Sequence, residues 1–326
     1  MLHTRARLAS VWLCAALILL AGSRGRAADP ARVRVGYAPY ATHLTAITGF
    51  SPQKRSFYKA FPKTRFDNRL FLQDSAALAA LKKGEIDIVF VGATAAVDAR
   101  MRGEDIIVIA RAANGGAILL SRVGSGVMWM SDFDGKRVAV PEAKSVEDVL
   151  LRYQLALNAR RPVDRGGKVT LKPVVPTNEL SAFQHATADV ACLPEPLGSV
   201  LERRSKAVAL LGAAGLYNSG DYPSVVVVTR RDYAKTNPDF LRAFRTTAKH
   251  ITLDIAAHRD SYAPLFAAEF ERLAGQKLTL AESLAALKRT GFRSEIKTHD
   301  LQLLVNLLVV AGYHTKAQRL DGIIWP

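Results

Sequence analysis

The chain has 326 residues, about half of them hydrophobic, with 45 Lys and Arg against 29 Asp and Glu and a formal net charge of +16. That length and apolar content suit two domains or lobes around large cores, and exclude a disordered tail or a small disulfide-stapled scaffold. The positive balance favours anionic partners, but the basic residues are spread out and no basic run is interleaved with aromatics; nucleic acid is therefore not expected, and most of these charges read as a solvated surface.

Residues 1–27 read as a cleavable signal peptide: Arg5 and Arg7, an apolar run from Leu8 to Ala21, then small residues Gly25 and Ala27 ahead of the cut. The run is shorter than the ~20 residues of a spanning helix, and Arg24 and Arg26 follow it at once, which argues against an uncleaved anchor. A lipid anchor is not expected either, because Ser23 stands where an acylated cysteine would have to be. Cleavage leaves 299 residues and removes four Arg and no acid, so the mature charge is +12. The expected location is the periplasm. Cys192 is then the one cysteine left, so no internal disulfide can form.

Val33, Val35 and Tyr37 alternate with Arg34 and Gly36 and stop at Pro39, predicting a first strand that runs into a loop. Ser75–Lys83 predicts a helix closed by Gly84. The run Ile86–Val91 predicts a parallel strand covered on both faces, Gly92-Ala93-Thr94 leads into a helix ending near Met101, and Ile106–Ala110 gives another strand. Strand and helix alternate with short connections, the signature of a doubly wound sheet. A second set follows, with a strand at Arg137–Pro141 and an amphipathic helix at 145–159 opened by a Ser145/Asp148 capping box. Its third strand is expected at Val169–Val175. The unit around Asp87 recurs as a helix at Leu180–Thr187 and a strand at Asp189–Leu193, with Asp189 in the place of Asp87. The runs Ala117–Ser121 and Ser224–Thr229 read as two paired crossover strands. Helical periodicity then covers 238–258, 262–273, 280–290 and 300–311, a tail expected to pack on the first lobe. The division is lobe 1 at 28–116 and 230–326, hinge strands at 117–122 and 223–229, and lobe 2 at 123–222. Two lobes on a hinge define a cleft that closes on a ligand.

Five segments, GYAPYATH (36–43), GEIDIVFVGATAAV (84–97), ARAANGGAILLSR (110–122), DGKRVAVPEAKSVEDVLLRYQL (134–155) and ADVACLPEPLGSVL (188–201), occur in the order and spacing of the nitrate, sulfonate and taurine type of ABC-transporter solute-binding proteins. The resemblance spans residues 33–313. It implies a type II periplasmic-binding-protein fold, two doubly wound α/β lobes joined by two crossover strands, with no catalysis, cofactor or metal. The implied partners are a small anionic ligand, an alkanesulfonate, taurine or nitrate, and an ABC permease in the inner membrane, the binding protein being a monomer. It implies ligand contacts at Tyr37, Tyr40 and His43, at Gly92, Ala93 and Thr94, and at Asn114, Gly115 and Gly116. From the second lobe it implies Lys144, Ser145 and Val146, with Pro194, Glu195 and Pro196.

Several physical arguments bear on those positions. Ligands of open α/β sheets sit beyond the carboxyl ends of strands, and helices opening at Ala93 or Ser145 offer free N–H groups to an oxyanion. Glu195 fits that picture least: it orients a donor, meets an amino group, or caps the helix that starts near Leu197. Two stretches depart from the family, the basic and aromatic segment 45–69 and Leu197, which stands where relatives place a tryptophan. Two rival functions remain open. A pyrimidine-type vitamin precursor would stack on Tyr37, Tyr40 or Tyr222, and a desulfinase-like hydrolase would use Cys192, which lies inside an apolar strand where thiols usually only pack.

Overall fold

The computed structural model describes residues 29–174 and 179–326. The signal-peptide reading and the end of the Val169–Val175 strand lie outside them. Among the described residues the strands are β1 (Arg32–Tyr37), β2 (Arg65–Leu70), β3 (Ile88–Gly92), β4 (Ile106–Gly115), β5 (Ala117–Ser121), β6 (Arg137–Val140), β7 (Thr170–Pro173), β8 (Val190–Pro194), β9 (Val208–Leu211), β10 (Pro223–Arg230) and β11 (Thr290–Gly291). They form two sheets, ordered β11-β4-β10-β3-β1-β2 and β7-β6-β8-β5-β9.

Within each sheet a parallel core matches the alternating pattern of the sequence: β1 lies between β2 and β3, and β6 between β7 and β8. The internal repeat has a physical counterpart. The carboxylate of Asp87 accepts from the backbone N–H of Arg34 at 2.8 Å and from its guanidinium at 2.6 and 3.0 Å. Asp189 does the same for Arg137, at 3.0 Å from the backbone and 2.8 and 2.9 Å from the guanidinium. Each acid thus pins the start of the parallel strand beside it. The paired guanidinium of Arg137 holds the Asp189 carboxyl down at about 2, well below its usual range.

The two runs read as paired crossover strands do not pair with each other. β5 has β8 and β9 on its two edges, and β10 has β3 and β4, so neither strand has a free edge for the other. The chain instead crosses between sheets at Gly116, between β4 and β5, and returns through residues 212–222. Gly116 has φ +82°, and a Cβ there would lie 2.7 Å from Cγ2 of Thr42, so only glycine fits the crossing.

The tail forms helices at Pro238–Ala257, Ala263–Ala274, Leu280–Arg289 and Thr298–Val310, close to the periodic segments. It does not serve the first sheet alone. Pro238–Ala257 packs on β4 and on the helix Leu44–Phe50, whereas Leu280–Arg289 also reaches the helix Leu197–Arg204 and Thr298–Val310 also reaches Val146–Leu157, both in the second half. The unusual segment 45–69 builds an aromatic core under the first sheet. Phe57 is fully buried, stacked 4.5 Å from Phe50 and 4.4 Å from Phe244, and Phe50 in turn stacks 6.0 Å from Tyr37.

Candidate functional site

The carboxyl ends of β1, β3, β6 and β8 converge on one cavity between the sheets. The first sheet and its loops contribute Tyr37, Ala38, Tyr40, Thr42, His43, Phe71, Leu72, Gln73, Asp74, Ala77, Phe90, Gly92, Ser224 and Val225; the second contributes Pro141, Glu142, Ser145, Val146, Glu147 and Pro194. The space open to the centre of a water-sized sphere is ≈ 40 Å³, room for roughly three waters. This is a nearly shut cleft, narrow enough to enclose the head of a small solute.

Of the residues singled out from the sequence, seven line the cavity: Tyr37, Tyr40, His43, Gly92, Ser145, Val146 and Pro194. The other eight do not; Pro196 is the buried N-cap residue of the helix Leu197–Arg204, and the rest are committed elsewhere. Asn114 and Gly115 are the last residues of β4, paired with Pro223 and with β11, rather than a loop facing the cleft. Gly116 packs on Thr42 and Thr290. Ala93 is buried at the helix start, and Thr94 donates its hydroxyl to the carbonyl of Lys144 at 2.8 Å, tying the helix Ala93–Met101 to the start of Val146–Leu157. Lys144 turns its ammonium to Asp98 at 3.1 Å and over the ring of Tyr313. Glu195, wholly buried, accepts the N–H of Ser199 at 3.0 Å in the first turn of the helix Leu197–Arg204 and pairs with Arg289 at 3.1 Å. It caps a helix and holds a cation, so its carboxylate is spent before any ligand arrives.

The Ser145 cap is half the expected box. Its hydroxyl accepts from the N–H of Asp148 at 3.2 Å, but Asp148 reaches back to the N–H of Lys144 rather than of Ser145. Lys144 adopts φ +70°, which swings its N–H into reach.

Three acids that the sequence reading passed over dominate the electrostatics. Asp74 opens the helix Asp74–Lys82 and accepts the N–H of Gly92 at 2.9 Å. A Cβ on Gly92 would lie 2.1 Å from this carboxylate, so the glycine makes room for Asp74. From the other sheet, Glu142 accepts from the backbone N–H of Asp74 and, at 2.6 Å, from the hydroxyl of Ser75, bridging the mouth of the cleft. Glu147 lies in the first turn of Val146–Leu157 and is 8% exposed. Burial, then the neighbouring charge of Glu142, raises the Asp74 carboxyl to about 7. Burial, with the charges of Asp74 and Glu142 adding to it, raises Glu147 to about 8.

No Lys or Arg lines the cavity among the described residues. His43 accepts the N–H of Ala38 on Nδ1 at 3.2 Å and is pushed down to about 3 by burial, so at neutral pH it is uncharged, with its proton on Nε2. Burial pushes the Tyr37 hydroxyl up to about 12. The Oγ of Ser224, 3% exposed, has no hydrogen-bond partner.

Cys192 lies on the side of β8 that packs against the helix Val146–Leu157, donating to the carbonyl of Glu147 at 3.4 Å. Burial, with the nearby charges of Glu147 and Asp148 adding to it, raises its thiol well above the usual range. An activated thiol needs the opposite setting, exposed and electropositive. Among the described residues no group of His, Cys, Asp and Glu could hold a metal ion, and no helix is long and apolar enough to cross a membrane.

A cleft of this construction, closed by strand-end loops from two mixed α/β sheets, defines the class: the periplasmic-binding-protein fold. The structure of the alkanesulfonate-binding protein SsuA from Xanthomonas axonopodis pv. citri bound to MOPS matches with a TM-score of 0.76 at 21% identity, over 92% of this chain and 99% of that one. The ligand-binding component of an ABC-type import system from Staphylococcus aureus, with zinc bound, gives 0.74 at 16% identity over 91% and 97%. The nitrate-binding protein NrtA from Synechocystis PCC 6803 gives 0.69 at 14% over 87% and 82%. The chain belongs to the NMT1-like family, whose model matches residues 26–261. No curated protein matches it in sequence.

Proposed function

We propose that this protein is the solute-binding component of an ABC-type importer, non-catalytic, exported to the periplasm, and working by closure of two lobes on a small polar solute. One lobe carries the six-stranded sheet with β10, the other the five-stranded sheet with β5, and the two crossings at Gly116 and 212–222 serve as the hinge. The observation that carries the reading is the cavity itself, lined from both sheets at strand carboxyl ends. Membership of the NMT1-like family and the likeness to binding proteins of import systems support it. The buried thiol of Cys192 weighs against a cysteine hydrolase.

The finer expectation was an oxyanion. A lining without Lys or Arg offers it no counter-charge, and the amides of Asp74 and Gly92 already donate to Glu142 and Asp74. Of alkanesulfonate, taurine and nitrate, taurine alone adds an ammonium group that this lining suits. Of the rings expected to stack a pyrimidine-type solute, Tyr37 and Tyr40 line the cavity beside Phe90, whereas Tyr222 is fully buried and is not among the lining residues. Native mass spectrometry after mild purification, with thermal-shift titration of sulfonates, nitrate, amines and pyrimidines, tests the function. A retained small solute, or a transition raised by ~4 kcal/mol of stability at 1,000 times the dissociation constant, is expected; a bare protein that no panel member stabilises would overturn it.

A further inference from the structure

We infer that the solute carries a positively charged amine or amidine head, bound between Asp74 of one sheet and Glu142 and Glu147 of the other. This rests on the solute-binding reading and names the ligand class of that same cavity.

Three acidic residues from two sheets line one narrow cavity, with no cationic side chain among the lining residues. Lys144, one residue before the lining Ser145, is paired with Asp98 at 3.1 Å, and Arg272, which meets the hydroxyl of Tyr37, is paired with Glu269 at 2.5 Å. His43 is neutral. A second, independent feature points to a ligand. Ser224 Oγ is buried, lines the cavity and lacks any partner, a cost that a hydrogen-bonding solute would remove whether it donates or accepts; the charge of that solute is set by the carboxylates. The overall positive charge of the chain is a surface property, screened within about 8 Å in physiological salt, so the local acids decide what enters.

The arrangement also accounts for closure. Without a cation, burial and then their mutual charge keep protons on Asp74 and Glu147 near neutral pH, so the three acids cannot all ionise beside one another in a cleft that Glu142 bridges to the N–H of Asp74 and the hydroxyl of Ser75. A cation between them lets those acids ionise and pairs with carboxylates of both sheets at once, which only the closed state allows, so it binds that state better than the open one. That differential is what a ligand needs to shift the population.

The test is isothermal titration with benzamidine and propylamine as cations and methanesulfonate and nitrate as anions, at pH 6.0 and 8.5, on the parent and on Asp74→Asn and Glu147→Gln. Cations are expected to bind about tenfold or more tightly at pH 8.5, because Asp74 and Glu147 must lose protons to receive them, and each substitution is expected to weaken them by about tenfold or more. Melting curves of both variants establish that they fold. Anions that bind better at pH 6.0, and better still to Asp74→Asn, would overturn the ligand class while leaving a solute-binding protein. Failure of all four probes at millimolar concentration, with no solute retained on purification, would overturn both.

Discussion

Replacing Glu147 by Gln should make the ligand-free protein more stable at alkaline pH. The folded carboxyl keeps its proton up to about 8, against an ordinary 4.5. Between those values the folded chain holds a proton that the unfolded chain has lost, so the stability tied to this group is fully present below pH 4.5 and falls as pH rises to about 8. At about 1.4 kcal/mol per tenfold, the whole separation is worth ~5 kcal/mol. Burial is the larger cause and the charges of Asp74 and Glu142 add to it; a neutral Gln is spared the ionisation cost but stays buried as a polar group, so roughly half, ~2–3 kcal/mol, is expected to return. For a chain of this size that is about 5 °C in melting temperature. Thermal melts followed by circular dichroism from pH 4.5 to 8.5, without ligand, should show the two proteins together at the acid end and the variant melting higher at the alkaline end. Parallel curves, or a variant that melts lower at pH 8.5, would refute the reasoning.

Phe57→Ala empties the centre of the aromatic core beneath Tyr37 and should cost ~3–5 kcal/mol in urea unfolding; a loss under ~1 kcal/mol would mean that this segment is not core. Gly92→Ala places a methyl group 2.1 Å from the Asp74 carboxylate and should weaken solute binding about tenfold by titration calorimetry while the melting temperature moves by only a few degrees; unchanged affinity would detach Asp74 from the site. Cys192→Ser should leave binding unchanged and alter stability by no more than ~1 kcal/mol, whereas a turnover lost with the thiol would establish catalysis.

Much of the scaffold was legible because its signals are local. Val33 and Val35 alternate as a strand must, the run Ile86–Val91 is apolar on both faces, and Ser145 sits one residue before the first helical residue it caps. The pairing of β5 and β10 was not legible, since an apolar run announces burial without saying which strands border it. At the site, the strand-end rule located Tyr37, Gly92 and Pro194 in the cavity. It overlooked Asp74, Glu142 and Glu147 for a physical reason. Asp74 and Glu147 are acids at helix starts, the common complement to the dipole, and Glu142 is one acid in the loop after β6, so all three look structural in one dimension; only the approach of two sheets brings them together. The same folding gave Lys144 and Glu195 other partners, which no spacing could announce.

Hydrogen exchange measured by mass spectrometry, with and without the retained solute or the tightest amine probe, addresses the central claim that one solute is held between both sheets. Slowed exchange is predicted at residues 72–75, 92–94 and 141–147 together. Protection confined to the loops of a single sheet, or found instead on the arginine-lined surface around Arg160 and Arg165, would contradict it.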